Sequence, residues 1–289
     1  MATEVIDVDR TLLASWPLPE PDGSKRSRGD IVVIGGARGT PGAAQLAGLS
    51  ALRVGAGRLT LAVGASIATA VAVAVPESGV LALQETDGGH VRGRAVEAFA
   101  SDIRQAQAVL VGPGLDDVRE ARRMLSALGD IVSDESTVVL DAYALGALAH
   151  RRKPHPFRNA ILKPNASEAE ILLGRPIDDL AADTVELAQR YDAAVTCMGI
   201  IADTSGAAYR VREAGPGLGT SGSGDVVAGA ITGLAARGCS PLQASVWGTY
   251  LHALAGESLS KAVAPVGYLA RDLSERLPIE LGALMAELG

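Results

Sequence analysis

Short, continuous apolar runs alternate along this chain with segments of helical spacing. Ile31–Ile34, Leu59–Val63, Ala108–Val111, Thr137–Leu140, Ala160–Leu162 and Ala193–Thr196 are uninterrupted or nearly so. Runs of this length, bounded by glycine or by a polar residue, predict strands buried on both faces. Between them, Pro41–Val54, Asp117–Leu128 and Ser167–Leu173 repeat their apolar positions with a helical period. Val226–Arg237 and Leu242–Ala262 do so near the end of the chain. Ile200–Ala202 and Ala207–Val211 read as a hairpin across Asp203-Thr204-Ser205-Gly206. Strand followed by helix, repeated, predicts an α/β fold: a mostly parallel central sheet with helices on both faces. Residues 1–29 read as a polar lead-in broken by Pro17, Pro19 and Pro21, with Trp16 and Leu18 packing onto the body. No repeat or low-complexity linker interrupts the pattern, so residues 1–289 are expected to form one domain.

Composition narrows the function classes. The chain has 289 residues, enough for a large core, and a net charge of −7 that disfavours a broad nucleic-acid surface. The basic clusters Lys25-Arg26-x-Arg28 and Arg151-Arg152-Lys153 are short enough to be solvated loops. Cys197 and Cys239 are the two cysteines, with no metal-type spacing, and a reducing cytoplasmic setting is expected. Residues 1–10 carry three acids and no apolar core of a signal peptide, and the longest apolar stretch, Ile67–Val75, is too short to span a bilayer. His90, His150, His155 and His252 share no ligand spacing and read as surface or structural residues.

The chemistry concentrates where predicted strands end: at Gly35-Gly36, Gly112–Gly114, Asp141, Asn165 and the run from Gly215 to Gly229. In open α/β sheets ligands bind at the carboxyl ends of strands. The last run is the richest. Gly222, Ser223 and Gly224 lead into a helix, where unpaired N–H groups and the helix dipole favour an anion. Asp225 follows at once. A carboxylate there would repel phosphate, so it reads as a base beside a phosphate cradle; the alternative is an N-cap. Gly217-x-Gly219-x-x-Gly222 fits a dinucleotide fingerprint poorly, since the next acid after Asp225 is Glu257. It fits a P-loop poorly because Ser223 stands where lysine is required.

Five blocks in order resemble the ribokinase-like superfamily, and within it the ADP/ATP-dependent NAD(P)H-hydrate dehydratases. They are Gly29–Ala44, Ser50–Thr60, Val111–Leu115, Leu140–Leu145 and Gly219–Gly229. The resemblance spans about Leu13 to Pro278. It implies that a nucleotide, ADP or ATP with Mg²⁺, phosphorylates the hydroxyl of hydrated NADH or NADPH. Phosphate then leaves and the ring double bond returns. By resemblance, Asp225 is the base, Gly222, Ser223 and Gly224 form the anion hole, and Gly224 contacts the nucleotide. Ala43, Gly114, Asn165 and Asp225 contact the substrate. It further implies a homo-oligomer and a separate epimerase that interconverts the two hydrate epimers, for which this chain has no room.

Two departures from the family stand out. Its Pro-His-Pro-Gly-Glu block reads Pro164-Asn165-Ala166-Ser167-Glu168 here, the Asn-x-x-Glu form of the superfamily's sugar and vitamin kinases. Asn165 and Glu168 could hold Mg²⁺ through water, or could simply cap a helix. The family's Lys-Gly pair falls at Met198-Gly199, and no lysine lies between Lys163 and Lys261; Arg210 or Arg212 would have to substitute. A small-molecule kinase and a non-catalytic nucleotide-binding relative therefore stay open as alternatives. Among smaller features, Asp141 reads as a loop-holding residue, Arg38 as solvated, Tyr143 and Trp247 as packing residues, and Cys197 as inert.

Overall fold

The computed structural model describes residues 3–20, 23–24, 27–149, 155–212 and 214–288. Pro21, Lys25, Arg26, His150 and Arg151-Arg152-Lys153 lie outside them. The first half runs β1 (Val5–Asp7), α1 (Arg10–Ser15), β2 (Asp30–Ile34), α2 (Pro41–Arg53), β3 (Arg58–Gly64), α3 (Ala68–Ala74), β4 (Ser78–Leu83), α4 (Ala100–Gln105), β5 (Ala108–Val111) and α5 (Val118–Leu128). Then come β6 (Thr137–Leu140), α6 (Tyr143–Ala149), β7 (Asn159–Leu162), α7 (Ala166–Leu173), α8 (Leu180–Tyr191), β8 (Ala194–Cys197), β9 (Ile200–Ala202) and β10 (Ala208–Arg210). The chain closes with α9 (Ser223–Ala236), α10 (Pro241–Ala262) and α11 (Ala270–Leu288).

The strands form one sheet in the order β1-β10-β9-β8-β7-β6-β5-β2-β3-β4. Every pairing from β8 across to β4 is parallel, and β8-β9-β10 is antiparallel. Successive side chains of a strand face opposite ways, so the continuous apolar runs feed two cores. Ile31, Val33 and Leu110 join the core under α2, α9, α10 and α11. Val32, Ile34, Val109 and Val111 join the one under α5, α6, α7 and α8.

The lead-in corrects its sequence reading. It is not merely polar: β1 adds to the sheet edge in parallel with β10, and Asp9 caps α1 by accepting the Leu12 N–H at 2.9 Å. Propensity gave no warning of β1, because a three-residue strand is decided by its neighbour's free edge. Trp16 and Leu18 do pack inward. The Trp16 carbonyl accepts the indole N–H of the fully buried Trp247 at 2.9 Å. Trp247→Phe loses that bond and leaves a small void, and is expected to cost about 2 kcal/mol, or several degrees in thermal unfolding. An unchanged melting temperature would contradict the anchoring role. Tyr143, in contrast, is exposed rather than packed.

α9 begins three residues ahead of its predicted start, with Gly222 as its N-cap at φ +89°. That shift puts Asp225 inside the first turn, as the third helical residue, so Asp225 is not the N-cap. α2 and α9 cross in direct backbone contact. A Cβ on Gly229 would lie 2.0 Å from the Ala47 carbonyl oxygen, and one on Gly233 would lie 2.5 Å from that of Ala51. Glycine and alanine, each repeated at four-residue spacing, make this approach closer than ordinary side chains permit.

Candidate functional site

The loops at the carboxyl ends of β2, β5, β6 and β7 meet one another and the N-terminus of α9. After β2 and β5, the Gly36 N–H donates to the Pro113 carbonyl at 2.9 Å and the Ala37 N–H to that of Gly114 at 2.7 Å. The Thr40 hydroxyl donates to the same Gly114 carbonyl at 2.8 Å. Gly112, at φ +130°, has room for no side chain: a Cβ would sit 1.8 Å from the Asp141 carbonyl oxygen. Gly114, at φ +72°, abuts Ala43, whose Cβ lies 3.2 Å from where its own would be. Two residues singled out for substrate contact, Ala43 and Gly114, are thus neighbours across one loop junction.

Gly222 packs against α2, since a Cβ there would meet Leu46 at 2.7 Å, and it lies beside the Asp225 carboxylate. The helix that carries Ala43 therefore backs the turn that carries Asp225. Among the described residues, the N–H groups of Gly222, Gly224 and Asp225 find no protein acceptor. That of Ser223 donates to the Thr220 carbonyl at 3.2 Å, which removes it from the predicted anion hole. Ser223 contributes its hydroxyl instead, 2.9 Å from His252 Nε2. Burial, reinforced by the Lys163 charge, lowers the His252 pKa to about 4, so its ring is neutral at physiological pH. Of the two readings open for the histidines, surface or structural, His252 is the buried, structural one, and it also touches the site. It was missed because it sits mid-helix in α10, with no local pattern to mark it.

The charged groups are concentrated. Asp141 is buried; its Oδ1 accepts the Ala142 N–H at 2.9 Å and stands 3.2 Å from Lys163 Nζ. It holds its loop as the sequence suggested, but it also holds a lysine. Burial pulls the Lys163 pKa down, yet the charges of Asp141, then Glu168 and Asp225, raise it overall, and the ammonium stays protonated. Burial pushes Asp141 up against the pull of Lys163. Burial also pushes Asp225 up, to about 6, helped by the Asp141 charge and opposed by Lys163. A carboxylate poised there can accept a proton near neutral pH.

Asn165 and Glu168 form a complete capping box. The Glu168 N–H donates to Asn165 Oδ1, and the Asn165 N–H to Glu168 Oε2, each at 2.9 Å. Burial raises the Glu168 pKa, against the Asn165 N–H and with the Asp141 charge. Among the described residues no group of three or more acids, histidines or cysteines makes a metal cage. Asp141, Glu168 and Asp225 around one ammonium nevertheless leave excess negative charge. Such a site suits a cation that arrives largely hydrated on a nucleotide.

A cleft of about 480 Å³ opens beside these groups, floored by Lys163, Asn165, Ser223, Gly224 and His252 and walled by Met198, Val211 and Leu218. Arg212 lines its rim, whereas Arg210 is bound to Asp7 at 2.8 Å and turns away. Arg38, in the loop after β2, is half-exposed and turns toward Ser66 and Glu85 instead of the cleft. Cys197 and Cys239 are buried, with burial pushing their thiols to about 11 and about 12, and neither reacts as a thiolate at neutral pH.

The arrangement agrees with comparisons to known proteins. Residues 31–279 match the family model described as NAD(P)H-hydrate dehydratase. An ADP-dependent (S)-NAD(P)H-hydrate dehydratase of Xanthomonas campestris pv. campestris is 40% identical over 94% of both chains. A bifunctional NAD(P)H-hydrate repair enzyme of Moorella thermoacetica is 31% identical over 96% of this chain, which spans 55% of that protein. The crystal structure of an ADP/ATP-dependent NAD(P)H-hydrate dehydratase from Bacillus subtilis, co-crystallised with ATP/Mg²⁺, superposes with a TM-score of 0.81 at 26% identity, covering 98% of this chain and all of that one. Among the described residues no helix is long and apolar enough to cross a membrane. With the family model matched over residues 31–279 and a relative 40% identical across 94% of both chains, the chain belongs to the NAD(P)H-hydrate dehydratase family.

Proposed function

We propose that this chain returns hydrated NADH or NADPH to the reduced cofactor at the expense of ADP or ATP, with Asp225 as the base. The observation that carries this assignment is Asp225 itself: a carboxylate with a pKa of about 6 in the first helical turn, next to N–H groups with no protein acceptor. A ring hydroxyl is a poor nucleophile, so a base within reach must take its proton as the phosphoryl group arrives. The N–H groups of Gly222 and Gly224 face the charge that develops on the transferring phosphoryl oxygens. Expulsion of phosphate and loss of a ring proton restore the double bond. Ala43 and Gly114 bound the side from which the hydrate approaches, with Asn165 beyond the end of β7, two strands away from β5. The nucleotide occupies the cleft between Met198 and Lys163.

Mg²⁺ accompanying the nucleotide would be held, through water, by Glu168 and Asn165. When bound it neutralises phosphate charge; the capping box fixes Asn165, at the cleft floor, and Glu168 beside it. The reading also includes a homo-oligomer, a cytoplasmic setting and a separate epimerase that supplies the epimer this enzyme accepts. The test is absorbance near 340 nm on adding the protein to hydrated NADH, Mg²⁺ and either ADP or ATP. A rise is expected, and the nucleotide that supports it names the donor. A flat trace with both nucleotides would overturn the reading.

A further inference from the structure

The cleft carries a charged group that neither the anion hole nor the base requires. Lys163 follows the last residue of β7, tied there by its N–H to the Leu140 carbonyl at 3.0 Å. Its side chain is 12% exposed, and what remains open faces the cleft. From behind, Asp141 grips the ammonium at 3.2 Å, with its own carboxylate fixed by the Ala142 N–H. In front, Nζ stands 3.2 Å from the point where a Cβ on Gly224 would be. The ammonium thus overhangs the second residue of α9, whose N–H has no protein acceptor. Any anion bound by that N–H is within reach of Lys163.

The other positive groups do not occupy this place. Arg210 is committed to Asp7, and Arg212 lies at the rim, shared with a second cavity lined by Asp7 and Arg10. Met198 is half-exposed at the wall, with no charge to offer. A buried ion pair is by itself weak evidence of a stabilising role, because desolvation offsets its attraction. A pair whose cation is aimed into a cleft, beneath a helix N-terminus, calls for another explanation.

We propose that Lys163, from the end of β7, binds the phosphoryl group in transfer. The inference rests on the dehydratase reading above. In the step it serves, the bond from phosphorus to the nucleotide's leaving oxygen breaks and a bond to the hydrate's hydroxyl oxygen forms. The hydroxyl proton passes to Asp225, and Lys163 keeps its proton throughout. Asp141 is a positioning residue: it keeps the ammonium extended and ready without competing for the cleft face. Glycine at 224 follows from the same geometry, since a side chain there would press on the ammonium.

Removing Lys163 alone would strand a buried Asp141, so the test uses the neutral pair Lys163→Met/Asp141→Asn beside Lys163→Arg. Affinity for ADP and for ATP, each with Mg²⁺, is measured by calorimetry, and turnover from the return of absorbance. Loss of one charge-assisted contact predicts about 10- to 100-fold weaker binding of the donor, ADP or ATP, in the neutral pair. The arginine variant, which keeps the charge, is expected to retain most of that affinity. Turnover should fall further than binding, because an ammonium beside the reacting phosphorus also meets the charge that builds on the leaving oxygen as the bond breaks. A folded neutral pair that binds both ADP and ATP, each with Mg²⁺, as the parent does would overturn the proposal. If the parent itself leaves hydrated NADH unchanged, the dehydratase reading fails, and the nucleotide comparison still decides the role of Lys163.

Discussion

Asp225→Asn is expected to lower turnover by about 10²- to 10⁴-fold and, at neutral pH, to raise the melting temperature. Both effects come from one carboxyl whose pKa stands at about 6 in the fold against 3.8 in an ordinary setting. For catalysis the ionised form is needed, so activity should climb as pH rises through about 6. For stability the sign is opposite. Between pH 3.8 and about 6 the folded carboxyl holds a proton that the unfolded one has lost, and proton uptake favours the fold. That advantage disappears as pH rises through the folded value. Above it the charge costs up to ~3 kcal/mol, less where solvent screens it. Asparagine carries no such charge, so its stability gain should be absent at pH 4 and grow toward pH 7. A variant that loses activity but shows no pH-dependent gain would remove burial as the cause of the raised pKa. A variant that keeps activity would remove Asp225 as the base.

Gly229→Ala is expected to lower folding yield and activity steeply, although alanine is the better helix former by about 1 kcal/mol. The local gain is outweighed at the crossing of α2 and α9. The new methyl would stand 2.0 Å from the Ala47 carbonyl oxygen, about 1 Å inside any tolerated contact. Backbone faces backbone, so no side chain can swing aside. The helices must separate, at a cost of ~3 kcal/mol or more. Separation also moves Ala43 on α2 away from Asp225 on α9. Surviving protein should therefore lose turnover out of proportion to its loss of stability, while an exposed control, Gly42→Ala, should keep the fold. A melting temperature within a degree of the parent for Gly229→Ala would refute the close crossing.

Much of this arrangement is legible in the sequence, for identifiable reasons. Each central strand is buried on both faces, so Ile31–Ile34 and Ala108–Val111 appear as unbroken apolar runs. The strand ends carry chemistry because a parallel sheet collects them on one side, which is why Gly114, Asp141, Asn165 and Asp225 could be grouped before any coordinates. The start of α9 was set too late because glycine and serine read as loop, whereas Gly222 supplies the left-handed turn that lets the helix begin at Ser223. β1 has no local signal in the sequence, because it is decided by tertiary pairing. Lys163 was overlooked for a different reason. The family pattern places its cation after β8, whereas here the lysine directly follows β7, before Pro164-Asn165. His252 had none, since its partner Ser223 is 29 positions away.

The parallel pairing of Val5–Asp7 with Ala208–Arg210 has a consequence for biosynthesis. The strand made first is the last that can join the sheet. It has no partner until some two hundred further residues have left the ribosome, and closing a loop of that length comes late. Until then Trp16, whose carbonyl and ring meet Trp247 and Tyr209, also lacks its docking site. The opening segment is therefore exposed on the nascent chain for most of translation. Chaperone binding and premature cleavage should concentrate there, and both should cease once the hairpin of β9 and β10 and then α10 have formed.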